Sequence, residues 1–173
     1  VNQVTESMPV QLARRSLAYY LEKGSLLPEP SDLSVELRTK AGVFVSLKKQ
    51  GELRGCIGTF SATQPNAAAE IIVNAVSAGT KDPRFWPIEL KELAELVISV
   101  DILDKPEQIN HIHELDPQKY GVIVRKGQRS GLLLPMLEGV ESAEEQIAIA
   151  KQKAGIIENE NVELYRFTVT RYE

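Results

Sequence analysis

Apolar positions along this chain switch between a helical and a strand spacing, and the switches divide it into elements. Leu12, Leu17, Tyr20 and Leu21 recur at roughly helical intervals between Ser7 with Pro9 and Gly24, a start and a stop that predict an N-terminal helix over 7–23. Leu26–Ser31, with Pro28 and Pro30, reads as a loop, and Asp32–Lys40 as a short helix followed by a loop. From Gly42 to Leu47 the period falls to two: Val43, Val45 and Leu47 share one face of a strand, and Phe44, Ser46 and Lys48 the other. Lys49–Glu52 contains Gly51 and makes the turn of a hairpin whose second strand is Leu53–Thr59. Ala68, Ile71, Ile72, Ala75 and Val76 make Asn66–Ala78 a well-buried helix. A proline-bracketed loop at Asp82–Pro87, a helical turn at Glu89–Leu93 and a strand at Leu96–Leu103 complete this half.

The second half repeats the scheme. Tyr120–Arg125 and Ser130–Leu134 are strands joined by Lys126–Arg129, and Ser142–Ala154 is a helix with Ser142 and Glu145 as a capping box and Gly155 as its stop. Val162–Thr170 closes as one strand, with Tyr165, Phe167 and Val169 on one face. Gly42-Val43-Phe44-Val45 and Gly121-Val122-Ile123-Val124 open the two hairpins, both turns are rich in Lys, Gly and Gln, and Gly55 and Gly131 sit in the two returning strands. This is a loose internal duplication. The fold class is α+β: one domain over 1–173, with related strand–strand–helix–strand halves at 32–104 and 116–173. The halves are expected to share one mainly antiparallel sheet, since either alone leaves a sheet face bare.

Composition narrows the function classes. A net charge of −4 gives no electrostatic drive toward nucleic acid or an anionic membrane. One cysteine excludes an internal disulfide and fits a reducing, cytoplasmic setting. No apolar run approaches the ~18 residues of a membrane span, and the polar start Val1–Ser7 is no signal peptide. A monomer or a small homodimer through a hairpin edge fits this chain.

Candidate chemistry concentrates in Leu53-Arg54-Gly55-Cys56-Ile57-Gly58-Thr59-Phe60. Strand alternation puts Arg54, Cys56 and Gly58 on one face, where the arginine favours thiolate over thiol. Cys56 is then a nucleophile or thiol contact, and Arg54 lowers its pKa and meets an anion. Glycines weaken a strand, so Gly55 and Gly58 are read as openings that bring backbone close to a ligand. Asp82-Pro83-Arg84-Phe85 offers Arg84 as a second anion clamp beside Asp82, and Arg129 in the second hairpin is a further anion contact. The competing reading packs Cys56 as a small hydrophobe and pairs Arg84 with Asp82 in an Asp-Pro turn. His111 and His113, the two histidines, lie in a polar connecting stretch and do not make a metal site; no metal or cofactor is expected.

Taken together these segments resemble the AMMECR-one domain family. The matching residues are the Gly42–Leu47 strand, the Gly51–Phe60 segment, Asp82-Pro83-Arg84-Phe85, Gly121–Val124, Arg129–Pro135 and Val162–Phe167, in family order across nearly the whole chain. The resemblance implies a curved, barrel-like sheet with helices packed outside, and a cleft lined by Arg54–Phe60, Thr59 included, together with the Asp82–Phe85 loop. It implies no settled reaction. Many prokaryotic relatives are encoded or fused with Memo-type and radical-SAM proteins, which points to a modification pathway and to such proteins as partners. The expected function is an enzyme or enzyme component acting on a small anionic or carbonyl-containing substrate. A non-enzymatic ligand- or protein-binding scaffold is the alternative, and the acidity of the chain speaks against an RNA-binding role. Relatives often carry an additional cysteine where this chain has Ile149-Ala150-Lys151-Gln152, so no two-cysteine mechanism is carried over.

Overall fold

The computed structural model describes Thr5–Glu173; Val1–Val4, at the head of the polar start, lie outside the described residues. The elements are α1 (Met8–Lys23), α2 (Val35–Arg38), β1 (Val43–Lys49), β2 (Glu52–Thr59), α3 (Ala67–Thr80), β3 (Leu96–Leu103), β4 (Glu107–Ile109), β5 (Gly121–Lys126), β6 (Arg129–Leu133), α4 (Ala143–Ala154), β7 (Glu163–Phe167) and β8 (Val169–Tyr172), with short 3-10 helices at Leu90–Glu95 and Ile112–Glu114. They form two compact units. One runs through Ile102 and adds Thr170–Glu173; the other is Leu103–Val169.

In the first unit a four-stranded sheet runs in the order β2-β1-β3-β8, with β1 antiparallel to β2 and β3. The period-two pattern works as expected. Val43, Val45 and Leu47 of β1 and Ile98 and Val100 of β3 turn inward and are buried with Ile71, Ile72 and Ala75 of α3. The alanines of α3 let its backbone approach the sheet. Its N-terminus is closed by Asn66, whose Oδ1 accepts from the Ala69 N–H at 2.8 Å. α1 adds Val10, Ala13 and Leu17 to the same core and ends at Gly24 in the left-handed region (φ 73°). The hairpin turn has positive φ at both Gln50 (53°) and Gly51 (80°), the two-residue geometry whose twist suits a hairpin.

The second unit has its own sheet, β4-β7-β5-β6, with antiparallel pairing throughout. α4 lies over it, burying Ala150 with Val122, Val124, Leu133 and Ile109. The Ser142 hydroxyl accepts from the Glu145 N–H at 3.1 Å, but the Glu145 carboxylate reaches the Glu141 N–H instead of that of Ser142, so half of the expected capping box forms.

Three expectations are corrected. The two units build two separate sheets instead of sharing one, and neither sheet closes into a barrel. The closing strand expected over Val162–Thr170 breaks at Thr168: β7 completes the second sheet and β8 the first. The polar stretch after β3 contains a short strand, β4, too brief for any period to register. Each unit therefore has a hairpin, a covering helix and a third strand on the far side of the first. The fourth strand is drawn from another part of the chain.

Candidate functional site

The cysteine lies on β2, at the edge of its sheet. Its N–H donates to Asp82 Oδ2 at 3.0 Å, and its carbonyl accepts from Arg84 Nη2 at 3.3 Å. Both backbone groups thus point away from β1. That makes Ser46–Cys56 a non-hydrogen-bonded cross-strand pair, in which side chains approach most closely. Ser46 Oγ and Cys56 Sγ are 3.3 Å apart. The Asp82 carboxylate and Arg84 guanidinium stand where the next strand would be, accepting and donating as its backbone would. An open strand edge is a template for unwanted pairing, and this one is capped at its centre.

Asp82 is buried, with its side chain 2% exposed, while that of Arg84 is 56% exposed. Arg84 Nε and Nη2 donate to the two carboxylate oxygens at 3.0 and 2.7 Å. These bonds, with the Cys56 and Arg84 N–H groups, outweigh burial and hold the Asp82 carboxyl well below the usual carboxylate range. Arg84 is raised correspondingly by Asp82.

Cross-strand register extends the site across the sheet. On the face away from α3, Cys56, Ser46 and Ser99 form one row over β2, β1 and β3, and all are half-buried. In the next row Asp101 lies beside Phe44 and is gripped by Arg171 of β8 through two bonds of 2.8 and 2.9 Å. Here too the aspartate is buried, 4% exposed, and the arginine is not, at 38%. Arg171 is raised by Asp101 first, and more weakly by the nearness of Glu173 and Cys56. Ser99 also lines a cavity of about 380 Å³ with Lys48, Val97, Glu6 and Glu173.

Arg54 is elsewhere. The register shifts between Leu47 and Lys48, so Arg54 is the extra residue of a β-bulge and simple alternation fails there. Its guanidinium binds Glu92 at 3.2 Å and the Trp86 carbonyl at 2.6 Å. Lys49 grips the same Glu92. Burial alone would raise the Glu92 carboxyl, but the Glu89 N–H, Arg54 and Lys49 bring it down to about 2. The expectation that Arg54 sits over the thiol is corrected: the cations near Cys56 are Arg84 and Arg171.

The two glycines are also accounted for by packing. A Cβ on Gly55 would lie 2.2 Å from the Ala78 carbonyl oxygen of α3, and one on Gly58 would lie 2.2 Å from the Phe44 ring. Gly55 lets the helix backbone touch the strand and Gly58 lets an aromatic ring lie across it, so packing alone gives each glycine a reason. The Thr59 hydroxyl, expected in the cleft, donates to the buried Glu70 carboxylate at 2.5 Å and accepts from Asn74. Arg129 belongs to the second unit, where it binds the Gly155 carbonyl and Glu160. His111 and His113 stack on each other, and among the described residues no cluster of His, Cys, Asp or Glu could hold a metal ion. No helix among them is long and apolar enough to cross a membrane.

The second unit provides an internal control. Gly131 pairs with Val124 as Gly55 pairs with Leu47, and its missing Cβ would lie 2.0 Å from the Ala150 carbonyl of α4. Aligned on these glycines, the row Cys56–Ser46–Ser99 corresponds to Leu132–Ile123–Tyr165. The same topology is built there with large, mostly apolar side chains. A thiol and two hydroxyls in the first unit are not something the fold requires. Ser99, Asp101 and Arg171 were missed from sequence, although Ser99 and Asp101 are the two polar positions of the otherwise apolar Leu96–Leu103 strand and marked its outer face.

Comparison with known proteins bears on the whole chain. The AMMECR1 family model matches residues 10–172. A protein from Thermotoga maritima is 52% identical over 95% of this chain and 96% of its own length. One from Clostridium acetobutylicum is 51% identical over 95% of this chain, which spans 35% of that longer protein. The crystal structure of an uncharacterized protein from Pyrococcus horikoshii superposes with a TM-score of 0.86 at 35% identity, covering 94% of this chain and 88% of that one. The chain is a member of the AMMECR1 family.

Proposed function

We propose that the outer face of the first sheet is a thiol-based ligand site, and that the chain acts as an enzyme, or as a component of one in a modification pathway, on a small anionic or carbonyl-containing substrate. The observation that carries this is the substitution of a Cys–Ser–Ser row for the Leu–Ile–Tyr row of the second unit at equivalent register positions. Cys56 is the nucleophile or thiol contact. Ser46 Oγ, 3.3 Å away, is within hydrogen-bond reach of the sulfur. Attack on a carbonyl carbon would form the C–S bond and move the C=O π pair to oxygen, the thiol proton having left to solvent. Arg84, whose side chain is 56% exposed and already reaches the Cys56 carbonyl, is the donor for that oxygen in this reading. The cysteine backbone is fixed by Asp82 and Arg84, so the sulfur is positioned before any ligand arrives.

A second reading, a protein-binding scaffold, is favoured by one observation. Trp86 is 86% exposed, on a proline-flanked loop pinned by Arg54 through its carbonyl. The two readings separate in alkylation of native Cys56 by iodoacetamide from about pH 5 to 10, followed by Cys56→Ala in cells. The enzyme reading expects a fast reaction in the native protein, and loss of pathway function in the variant. A thiol inert until unfolding, with Cys56→Ala fully functional and Trp86→Ala not, would replace it with the scaffold.

A further inference from the structure

The two sheets end differently at corresponding edges. β2 and β6 are each the second strand of a hairpin, and each lies at the edge of its sheet. Aligned on Gly55 and Gly131, Leu132 takes the place of Cys56. At Cys56 both outward backbone groups are filled, the N–H by Asp82 and the carbonyl by Arg84. At Leu132 only one is. Lys153 Nζ, reaching from α4, donates to the carbonyl at 3.2 Å, and among the described residues no loop or side chain accepts from the N–H. A strand residue aims its N–H and its carbonyl to the same side, so this N–H also faces away from β5. Ser130, two residues back, faces the same way and is exposed, as is Arg129. The edge of β6 therefore presents backbone donors about 6.6–6.8 Å apart, the repeat of an extended chain, without the acidic side chain that closes the same edge in the first unit.

Charge selects what can pair there. Lys126 and Arg129 at the turn end of the hairpin and Lys153 beside Leu132 bring positive charge to this edge, and the acid bound among them is Glu160, which Lys126 and Arg129 share at 3.0 and 3.3 Å. The other bond of Arg129 goes to a neutral group, the Gly155 carbonyl, at 3.0 Å. Arg125 and Glu163, on the neighbouring strands, satisfy each other. The surplus is local, since the chain as a whole carries −4. It repels a second copy of the same edge and favours a strand that carries carboxylates. A phosphate backbone could meet the cations, but phosphates only accept and leave the outward carbonyls without donors.

We infer that the edge of β6 is a docking site for an extended acidic segment of a partner protein, which adds to the second sheet as a fifth strand. The segment's carbonyls accept from the Ser130 and Leu132 N–H groups, and its own N–H groups donate to their carbonyls. Lys153, exposed and on a flexible stem, leaves the Leu132 carbonyl for a carboxylate of the segment, and Arg129 meets another. The site is independent of Cys56.

The probe is acetyl-(Glu-Val)3-amide, with the (Lys-Val)3 peptide and an N-methylated (Glu-Val)3 peptide as controls. Amide hydrogen exchange of the native chain, followed residue by residue by NMR, is the readout. Millimolar acidic probe should slow exchange at Ser130 and Leu132 by about fivefold, which corresponds to a dissociation constant of about a quarter of the probe concentration. Cys56, whose N–H Asp82 already holds, should not change. Lys153→Gln keeps a donor for the Leu132 carbonyl but removes the charge, and should weaken the probe by about two- to fivefold, the worth of one exposed ion pair. Equal protection by the lysine or the N-methylated peptide, or no protection at Ser130 and Leu132, overturns the inference. So does protection by a single-stranded oligonucleotide in place of the peptide. A Leu132 amide that grows more protected with protein concentration alone overturns it as well, because a second copy then occupies the edge.

Discussion

Replacing Gly55 by alanine tests whether the glycine beside the cysteine exists for packing. An ideal Cβ there would lie 2.2 Å from the Ala78 carbonyl oxygen and 3.2 Å from its carbon. Relief to ordinary contact requires the end of α3 to withdraw by roughly 1 Å. That helix is committed along its length, with Ile71, Ala75 and Ala78 fully or nearly buried, so it cannot tilt without opening the core. Overpacking of this kind costs about 1–3 kcal/mol, against which removing a strand glycine returns about 0.5–1 kcal/mol. A clash with backbone belongs at the upper end of that range, and the net loss of about 2–2.5 kcal/mol should lower the thermal midpoint by roughly 4–10 °C for a chain of this size. Gly58→Ala is the comparison. There the obstacle is the Phe44 ring, 2.2 Å away, which can turn about its own side-chain torsions. Its loss should be clearly the smaller of the two. Thermal unfolding followed by circular dichroism, with both variants beside wild type, gives the answer. Gly55→Ala as stable as wild type, or more stable than Gly58→Ala, would refute the packing argument and reopen Gly55 as a point of ligand approach.

Further predictions concern the carboxylates. Glu70 is fully buried and accepts only from donors, namely the Thr59 and Thr63 hydroxyls and the Thr63 and Gln64 N–H groups. Glu70→Gln forces an amide NH₂ against one of them and should lower stability by about 1–3 kcal/mol in denaturant unfolding; a neutral result would contradict the donor assignment. Asp82→Asn should loosen Arg84 and uncover the β2 edge, giving concentration-dependent association by analytical ultracentrifugation where wild type shows none beyond its own state. Glu92 has a folded-state pKa of about 2, below its unfolded value, so its contribution is complete above about pH 4.5 and is lost as pH falls toward 2. The thermal midpoint of wild type should therefore drop more steeply over that interval than that of Glu92→Gln, and parallel pH profiles would refute the assignment.

Most of the secondary structure was legible because local signals were strong. The hairpins announced themselves by period-two alternation around glycine turns, and α1 and α4 by their capping residues and the glycines that stop them. What was not legible was long-range. Nothing local marks Thr168 as the point where one apparent strand divides between two sheets, since Phe167 and Val169 continue the same alternation. The site divides along the same line. Cys56, Asp82 and Arg84 could be picked from a short motif and a loop. Their actual relation, side chains standing in for a strand, depends on β2 being at the edge. Arg54 was misplaced because a bulge is invisible to alternation. Arg171 was out of reach because only the return of β8 to the first sheet brings it to Asp101.

The shared topology of the two units turns these local facts into an argument about function. Two units with one topology both need a glycine under a helix carbonyl, and both have it at the same register, so that feature belongs to the fold. A buried polar side chain reaching from the helix to a backbone carbonyl near the start of the hairpin also recurs, as Asn74 to Val43 and Gln146 to Tyr120. Once such shared features are set aside, the outer face of the first unit is distinguished by the thiol–hydroxyl row and the two arginines anchored on buried aspartates. Exchanging the row itself separates fold from function. Cys56→Leu with Ser46→Ile copies the second unit at two positions where that topology tolerates large apolar groups, so unfolding should shift by no more than about 1–3 kcal/mol, the range for added core volume. Pathway function in cells should be lost nonetheless. Function retained in that folded double variant would mean that the row does no chemistry.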